Sequence, residues 1–162
     1  MSTSAGKIAR PAAAAPKLGA RAPKFNSTVV GLSRIVFGFL FACHGVSSLF
    51  GVFGKHAVTF GTWPNFYAAA IELVCGVLVM IGVLTRSAAV LGSGSMAYAY
   101  FTVHQAAGVL PIVNGGEQAA VFCWSLLLLA VTGPGAFALG AAISARFRGV
   151  PAPAGEHPVA YP

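Results

Sequence analysis

The chain has 162 residues, of which 57% are hydrophobic and only 8% charged. Soluble domains carry about 25% charged residues, so this composition excludes an ordinary water-soluble globule and points to lipid as the solvent. The net charge of +7 is uneven, with Lys7, Arg10, Lys17, Arg21 and Lys24 preceding Phe25 and no acid among them; with no nucleic-acid motif or basic patch interleaved with aromatics, it marks a membrane surface or an orientation signal and excludes nucleic acid as a partner.

Residues 1–26 read as a disordered, basic cytoplasmic tail, interrupted by Pro11, Pro16 and Pro23 and lacking the apolar core of a secretory signal. A transit peptide shares its basic, acid-poor character and is the runner-up for this segment. The membrane domain is placed at 27–148. Its first span runs from about Ser27 to Phe50 and holds two ionisable groups, Arg34 and His44. A polar break from Gly51 to Trp63 carries Lys55 and His56. The second span, about Pro64 to Leu84, has Thr62 as a capping candidate, Pro64 in the tolerated first turn and Glu72 as its single charge. Thr85-Arg86-Ser87 is predicted to form the hairpin into a third span that ends near Gln105 and contains His104. The apolar loop from Ala106 to Asn114 suits a re-entrant segment. Asn114-Gly-Gly-Glu117 has the spacing of a capping box opening a fourth helix, which Thr132-Gly-Pro-Gly135 stops. That helix would be about 27 Å long at 1.5 Å per residue, just enough to span. Phe137 to Phe147 is too short for a fifth span and reads as an interfacial segment. The Pro-rich stretch 149–162 reads as a second disordered tail.

Four spans put the N-terminal tail, the Arg86 hairpin and the C-terminal segment on one side. That side holds eight basic residues against Lys55 on the other, so it is the cytoplasmic one. The fold class expected is therefore all-α: an integral membrane four-helix bundle of up-down topology with both termini inside. Close packing should come from small residues. Gly31, Gly38 and Gly45 recur every seven residues and give the first helix one smooth face. Ala68 and Gly76 flank Glu72, and Gly92, Gly94, Ser95 and Ala99 serve the third helix in the same way.

Ionisable residues within the bilayer face the bundle interior and are the candidates for function. Counting along the helices puts His44, Glu72, His104 and Glu117, one per helix, in the outer half, with Arg34 lower on the first. Glu72 and Arg34 suit a structural ion pair, Arg34 snorkelling upward. Asn114 and Glu117 suit a helix cap. His44 and His104 suit interhelical hydrogen bonds. Against these stands a quinone or proton-transfer pocket built from His44, Glu72, His104 and Glu117, with Glu72, His104 and His44 as the candidate catalytic groups. A bis-histidine haem has only the matched depths of His44 and His104 in its favour. A carboxylate-bridged metal pair would need Glu-x-x-His spacing, which the chain lacks, so no metal is expected. No other cofactor is implied, quinone being the one such a pocket would suit. Cys43, Cys75 and Cys123 are odd in number, lie one per helix and form no Cys-x-x-Cys, so they read as small apolar residues, Cys43 standing out for its neighbour His44.

The run Gly76-Val-Leu-Val-Met-Ile-Gly-Val-Leu-Thr-Arg-Ser-Ala-Ala89, preceded by Glu72, resembles the second-to-third helix hairpin of the DoxX family. Arg34-Ile-Val-Phe-Gly38 followed by His44-Gly45 is similar to its first helix, and Asn114–Glu117 and Thr132–Gly135 resemble the boundaries of its fourth. The likeness covers about residues 28–140 and leaves both tails outside. It implies a four-helix protein of the bacterial cytoplasmic (inner) membrane. DoxX-like proteins are associated with thiosulfate and quinone redox chemistry in some archaea, and in mycobacteria with a membrane oxidoreductase complex containing superoxide dismutase and a sulfurtransferase. The resemblance therefore implies an accessory or anchoring subunit whose partners, besides the lipid bilayer, are other membrane subunits of a redox or respiratory assembly. The alternative is a quinone-reactive oxidoreductase subunit; a chain without nucleotide motif or soluble catalytic domain would not be catalytic alone.

Overall fold

A computed structural model describes residues 24–148; both expected tails, apart from the last residues of the first, lie outside the described residues. The described chain is all-helical. In order, the helices are α1 (Lys24–Phe50), α2 (Asn65–Ile81), α3 (Thr85–Ala99), the one-turn α4 (Pro111–Asn114), α5 (Glu117–Thr132) and α6 (Leu139–Arg148). A wide π turn, Tyr100–His104, and a 3-10 turn, Gln105–Ala107, prolong α3. Among the described residues one helix, Phe25–Phe50, is both long and apolar enough to cross a membrane. The apolar helices α2 and α5 have 17 and 16 residues.

The core is built from Phe41 of α1, Cys75 and Val79 of α2, Ala89 and Met96 of α3, and Phe122, Leu126 and Leu129 of α5. Phe41 and Phe122 meet at a ring-centroid distance of 5.2 Å. The glycine face of α1 lies where the backbones touch. A Cβ on Gly38 would come within 2.5 Å of the Met80 nitrogen, and one on Gly45 or Gly76 would strike the backbone of Leu73 or Ala42. Gly31 meets Ala136 instead, in the segment after α5. In α3, Gly92 packs against Phe41 and Leu126, whereas Gly94 has no neighbour within 4 Å and belongs to the outer surface. The polar link between α3 and α5 is Ser93, whose hydroxyl donates to the Cys123 carbonyl at 2.9 Å.

Several helix boundaries differ from the expectation for identifiable reasons. The α2–α3 turn lies at residues 82–84 and not at Thr85-Arg86-Ser87, which already belong to α3. Gly82 takes φ +76°, and its N–H and that of Val83 both return to the Leu78 carbonyl, closing α2 three residues early. Thr62 does not cap α2 with its side chain, because its hydroxyl donates back to the Thr59 carbonyl at 2.7 Å. The capping box at Asn114–Glu117 does not form. Gly115 stands at φ +70° between two helices, the Asn114 oxygen accepts the Gly116 N–H at 2.8 Å, and Glu117 becomes the first residue of α5. Asn114 instead ties its own loop together, donating to the Gly108 carbonyl at 2.7 Å and to the Tyr100 hydroxyl at 3.3 Å.

Three remote parts of the chain gather at one end of the molecule. The Ala136 N–H donates to the Ser27 carbonyl at 2.8 Å, and the Gly140 N–H to the Gly82 carbonyl at 3.1 Å. The start of α1, the α2–α3 turn and the α5–α6 segment therefore share this end.

Candidate functional site

The ionisable groups inside the fold fall into two separate places. At the gathered end lies Arg34, which is 0% exposed. A guanidinium has five N–H donors in a rigid fork, and here all five are used on backbone carbonyls. Nε donates to Pro134 at 2.8 Å; Nη1 donates to Val79 at 2.8 Å and Met80 at 2.6 Å; Nη2 donates to Ala136 at 3.2 Å and Phe137 at 3.1 Å. Val79 and Met80 are in the last turn of α2, and the other three acceptors follow α5. A permanent cation is thus set against the carbonyl end of α2, where orphan acceptors and the negative end of the helix dipole favour it, and against three carbonyls of the segment after α5. The expected Arg34–Glu72 ion pair is consequently absent. The Gly38–Met80 and Ala42–Gly76 contacts fix the α1–α2 register so that Arg34 meets the end of α2, and Glu72 lies about two turns farther along it.

Glu72 meets His44 instead. Its Oε2 is 3.8 Å from His44 Nδ1, and that oxygen, buried, accepts no hydrogen bond. Gly45, packed on the backbone of Ala69 and Leu73, is what lets α1 approach closely enough to set the neighbouring His44 beside Glu72. Lys55 also lies against the imidazole, its Nζ 3.0 Å from His44 Nε2 and 3.5 Å from Nδ1. Lys55 arrives there because the loop after α1 folds back over the helix end. Gly51 turns at φ +64°, the Ser47 hydroxyl donates to the Val52 carbonyl at 2.8 Å, and the Val58 N–H donates to Ser48 at 2.9 Å. An ammonium donates only, and Nε2 is its nearer acceptor, which favours the tautomer with the ring proton on Nδ1, facing Glu72.

Lys55 and His44 open into a cleft of about 840 Å³ between α1, this loop and α5. Its ionisable lining residues are His44 and Lys55 and, from the α5 side, Glu117, placed at the N-terminus of that helix where a carboxylate is favoured. Its walls are apolar and largely aromatic, with Phe37, Leu40, Phe53 and Phe122 among them, and Cys43 lines it as well. Of the four residues expected to share a pocket, His44 and Glu117 line this cleft, Glu72 stands directly behind His44, and His104 is elsewhere. The π turn directs His104 toward the loop before α5, with Nδ1 3.3 Å from the Asn114 carbonyl and its ring stacked on Tyr100. His44 and His104 therefore do not face one cavity, and the geometry does not set them as a pair of axial ligands. Lys55 was missed as a site residue. Its one signal in the sequence is that, with eight basic residues assigned to one side and Arg34 within the membrane, it is the one left for the other side, in a glycine-flanked loop directly after the helix that carries His44. Among the described residues, no group of three or more His, Cys, Asp or Glu side chains converges as a metal site would.

The DoxX family model matches residues 29–105. An uncharacterized protein of Haemophilus influenzae is 36% identical over 126 residues, covering 72% of this chain and 91% of the relative. The chain belongs to the DoxX family. A second relative, named "Putative oxidoreductase CatD", comes from Bacillus subtilis and is 36% identical over 107 residues, 63% of this chain and 77% of that one. No solved structure matches the chain significantly. The DoxX-matched segment carries Arg34, His44, Lys55, Glu72 and His104 and ends before Glu117. Membership makes this a membrane protein, and the structure shows how its outer surface suits lipid: large apolar side chains point outward from α1, α2, α3 and α5 alike, Leu32, Val74, Val90 and Leu128 being more than half exposed, while Arg34 and Glu72 are turned inward.

Proposed function

We propose that this DoxX protein is a four-span subunit of a redox assembly in the bacterial cytoplasmic membrane, where it holds a quinone in the cleft beside His44 and Lys55 while a partner subunit supplies or takes the electrons. The observation that carries this reading is the cleft itself: about 840 Å³, apolar and aromatic along its walls, with His44, Lys55 and Glu117 as its ionisable lining residues. That is the profile a quinone needs, with aromatic walls for the ring and tail and hydrogen-bond donors at one carbonyl. The relative named as an oxidoreductase supports the redox setting. The apolar outward faces of all four long helices support four spans, although α2 and α5 are short for a hydrocarbon core of about 30 Å and call for local thinning of the bilayer. The aromatic cluster of Phe60, Phe66, Trp63 and Tyr67 beside the Lys55 loop fits the headgroup level at one end of the bundle. The basic residues of the N-terminal tail, with Arg86 and Arg146, fit the cytoplasmic side at the other.

The test is titration of the purified full chain, in mild detergent, with a short-chain benzoquinone and a short-chain naphthoquinone. Saturable binding of either, with protection of Cys43 from a thiol reagent and loss of both in His44→Leu, is the expected result. Stable redox partners in the purified assembly without saturable quinone binding would reduce the chain to an anchoring subunit.

A further inference from the structure

The geometry points to a proton relay, Lys55 to His44 to Glu72, that connects the exposed loop after α1 with a carboxyl inside the helix bundle. Three observations place the groups in series. Lys55 is exposed, and its Nζ lies nearer to His44 Nε2, at 3.0 Å, than to Nδ1, at 3.5 Å. His44 is half-buried and touches both of the others, its Nδ1 lying 3.8 Å from Glu72 Oε2. Glu72 is 6% exposed, and Oε2 makes no hydrogen bond within the protein. A buried carboxylate oxygen normally has a donor, and this one has a single ring nitrogen in front of it. The 3.8 Å gap closes to hydrogen-bond length with a small rotation of either side chain, as proton-transfer pairs in resting structures often require. The other carboxylate near the route, Glu117, lies across the cleft at the start of α5.

The transfer balances without an oxidant. The Nδ1–H proton passes to the Glu72 carboxylate while Nε2 takes a proton from the Lys55 ammonium. The products are the Glu72 carboxylic acid, the other neutral tautomer of His44 and a Lys55 amine. The amine regains its proton from water or from a hydroxyl in the cleft, and reversal of the same steps empties Glu72. Glu72 thereby exchanges protons by way of His44, and a buried negative charge is neutralised whenever a proton is delivered. If the cleft holds a quinone, its quinol form is the hydroxyl that feeds the relay; only this last use rests on the proposed function.

The experiment is infrared spectroscopy of the full chain in detergent, transferred rapidly from H2O to D2O. Wild type is expected to show a protonated-carboxyl band that is missing in Glu72→Gln and shifts on mixing. In His44→Phe the band should persist and its shift should slow by a factor of about ten or more, with His44→Gln as the second variant should the first fail to fold. Lys55→Gln, in the exposed loop, should slow it less, because water replaces the ammonium at the mouth. A shift as fast in the folded His44 variants as in wild type, or no carboxyl band assignable to Glu72 at any pH where the protein is folded, overturns the relay. Quinone titration of wild type and Glu72→Gln keeps the two ideas apart. Glu72 does not line the cleft, so fast exchange in the His44 variants together with normal quinone binding by wild type and Glu72→Gln defeats the relay alone, and slow exchange in the His44 variants without quinone binding by wild type defeats the cleft reading alone.

Discussion

Replacing Arg34 by methionine isolates what the buried guanidinium contributes while keeping most of the side-chain volume. Five carbonyls lose their donor. One of them, Val79, still accepts the Gly82 N–H at 3.1 Å, which leaves four: Met80, Pro134, Ala136 and Phe137. A buried acceptor left unpaired costs about 1–3 kcal/mol, and because these four are only part-buried and can partly find water, the low end applies, about 4 kcal/mol at most for the four. Removal of a fully buried cation relieves a desolvation penalty and offsets part of that sum. A net loss of about 2–4 kcal/mol is therefore expected. The loss should be local as well as global. Pro134, Ala136 and Phe137 are bridged to α2 by this one side chain, so proteolysis within residues 133–138 should accelerate before the whole fold melts. Arg34→Lys should recover little, since an ammonium has three donors on a point charge and cannot fork between the end of α2 and the segment after α5. Thermal unfolding in detergent and limited proteolysis of wild type, Arg34→Met and Arg34→Lys supply the measurements. Because Arg34 and Glu72 share no partner, Glu72→Gln should not rescue Arg34→Met, and the two losses should add. Wild-type stability in Arg34→Met, or rescue by the double change, would refute the carbonyl cradle and restore the ion pair suggested by the sequence.

Two further expectations concern packing and orientation. Gly76→Leu drives a side chain into the Ala42 backbone and should cost at least the upper part of about 1–3 kcal/mol, whereas Gly94→Ala meets nothing within 4 Å and should be neutral or stabilising by up to about 1 kcal/mol; chemical or thermal unfolding of both variants compares them directly. Reporter fusions at the two ends should be active only in their cytoplasmic mode, as the eight-to-one distribution of basic residues requires, and a terminus found outside would sink the four-span topology.

How far the sequence could be read depended on whether a property is one-dimensional. The glycine face of α1 was legible because a seven-residue repeat on a helix is a line of contact whatever packs against it, and Gly31, Gly38 and Gly45 all meet backbone. The stop after α5 and the short segment beyond it were legible from Gly133, Pro134 and Gly135 alone, Gly133 and Gly135 both taking positive φ. Depth along a helix is also countable, and His44 and His104 were given equal depth on that basis. What counting does not supply is the position around the bundle: His44 turns toward the α5 cleft, His104 toward the loop ahead of α5. The Arg34 partner failed for a different reason. Charge sought charge in the sequence, but the real acceptors are backbone carbonyls, which carry no residue signature and converge only after the chain beyond α5 returns to α1. The Asn-x-x-Glu spacing likewise matched a capping box, while the intervening Gly115 and Gly116 allowed the chain to turn and start the helix later. Lys55 was counted as a topological charge because its nearness to His44 depends on how Gly51 and Ser47 fold the loop.

The two polar centres are joined by the same α1–α2 seam, and their contrast explains what the seam is for. At one end every donor of Arg34 has an acceptor, so that end has one conformation and fixes the register. From there Gly38 against Met80, Ala42 against Gly76 and Gly45 against Leu73 carry the register along both helices with no side chain between them to slip. At the other end that register delivers His44 to Glu72, where a carboxylate oxygen has no other donor and a lysine stands in the open. A rigid anchor holding an unsaturated, proton-exchangeable pair in place is a physically coherent division of labour. The seam should then couple the two: a bulky residue at Gly76, between the centres, is expected to disturb the His44–Glu72 geometry as well as stability. Infrared exchange on Gly76→Ala beside Gly94→Ala would measure that coupling, and equal, wild-type exchange in both would show that the seam does not set the relay.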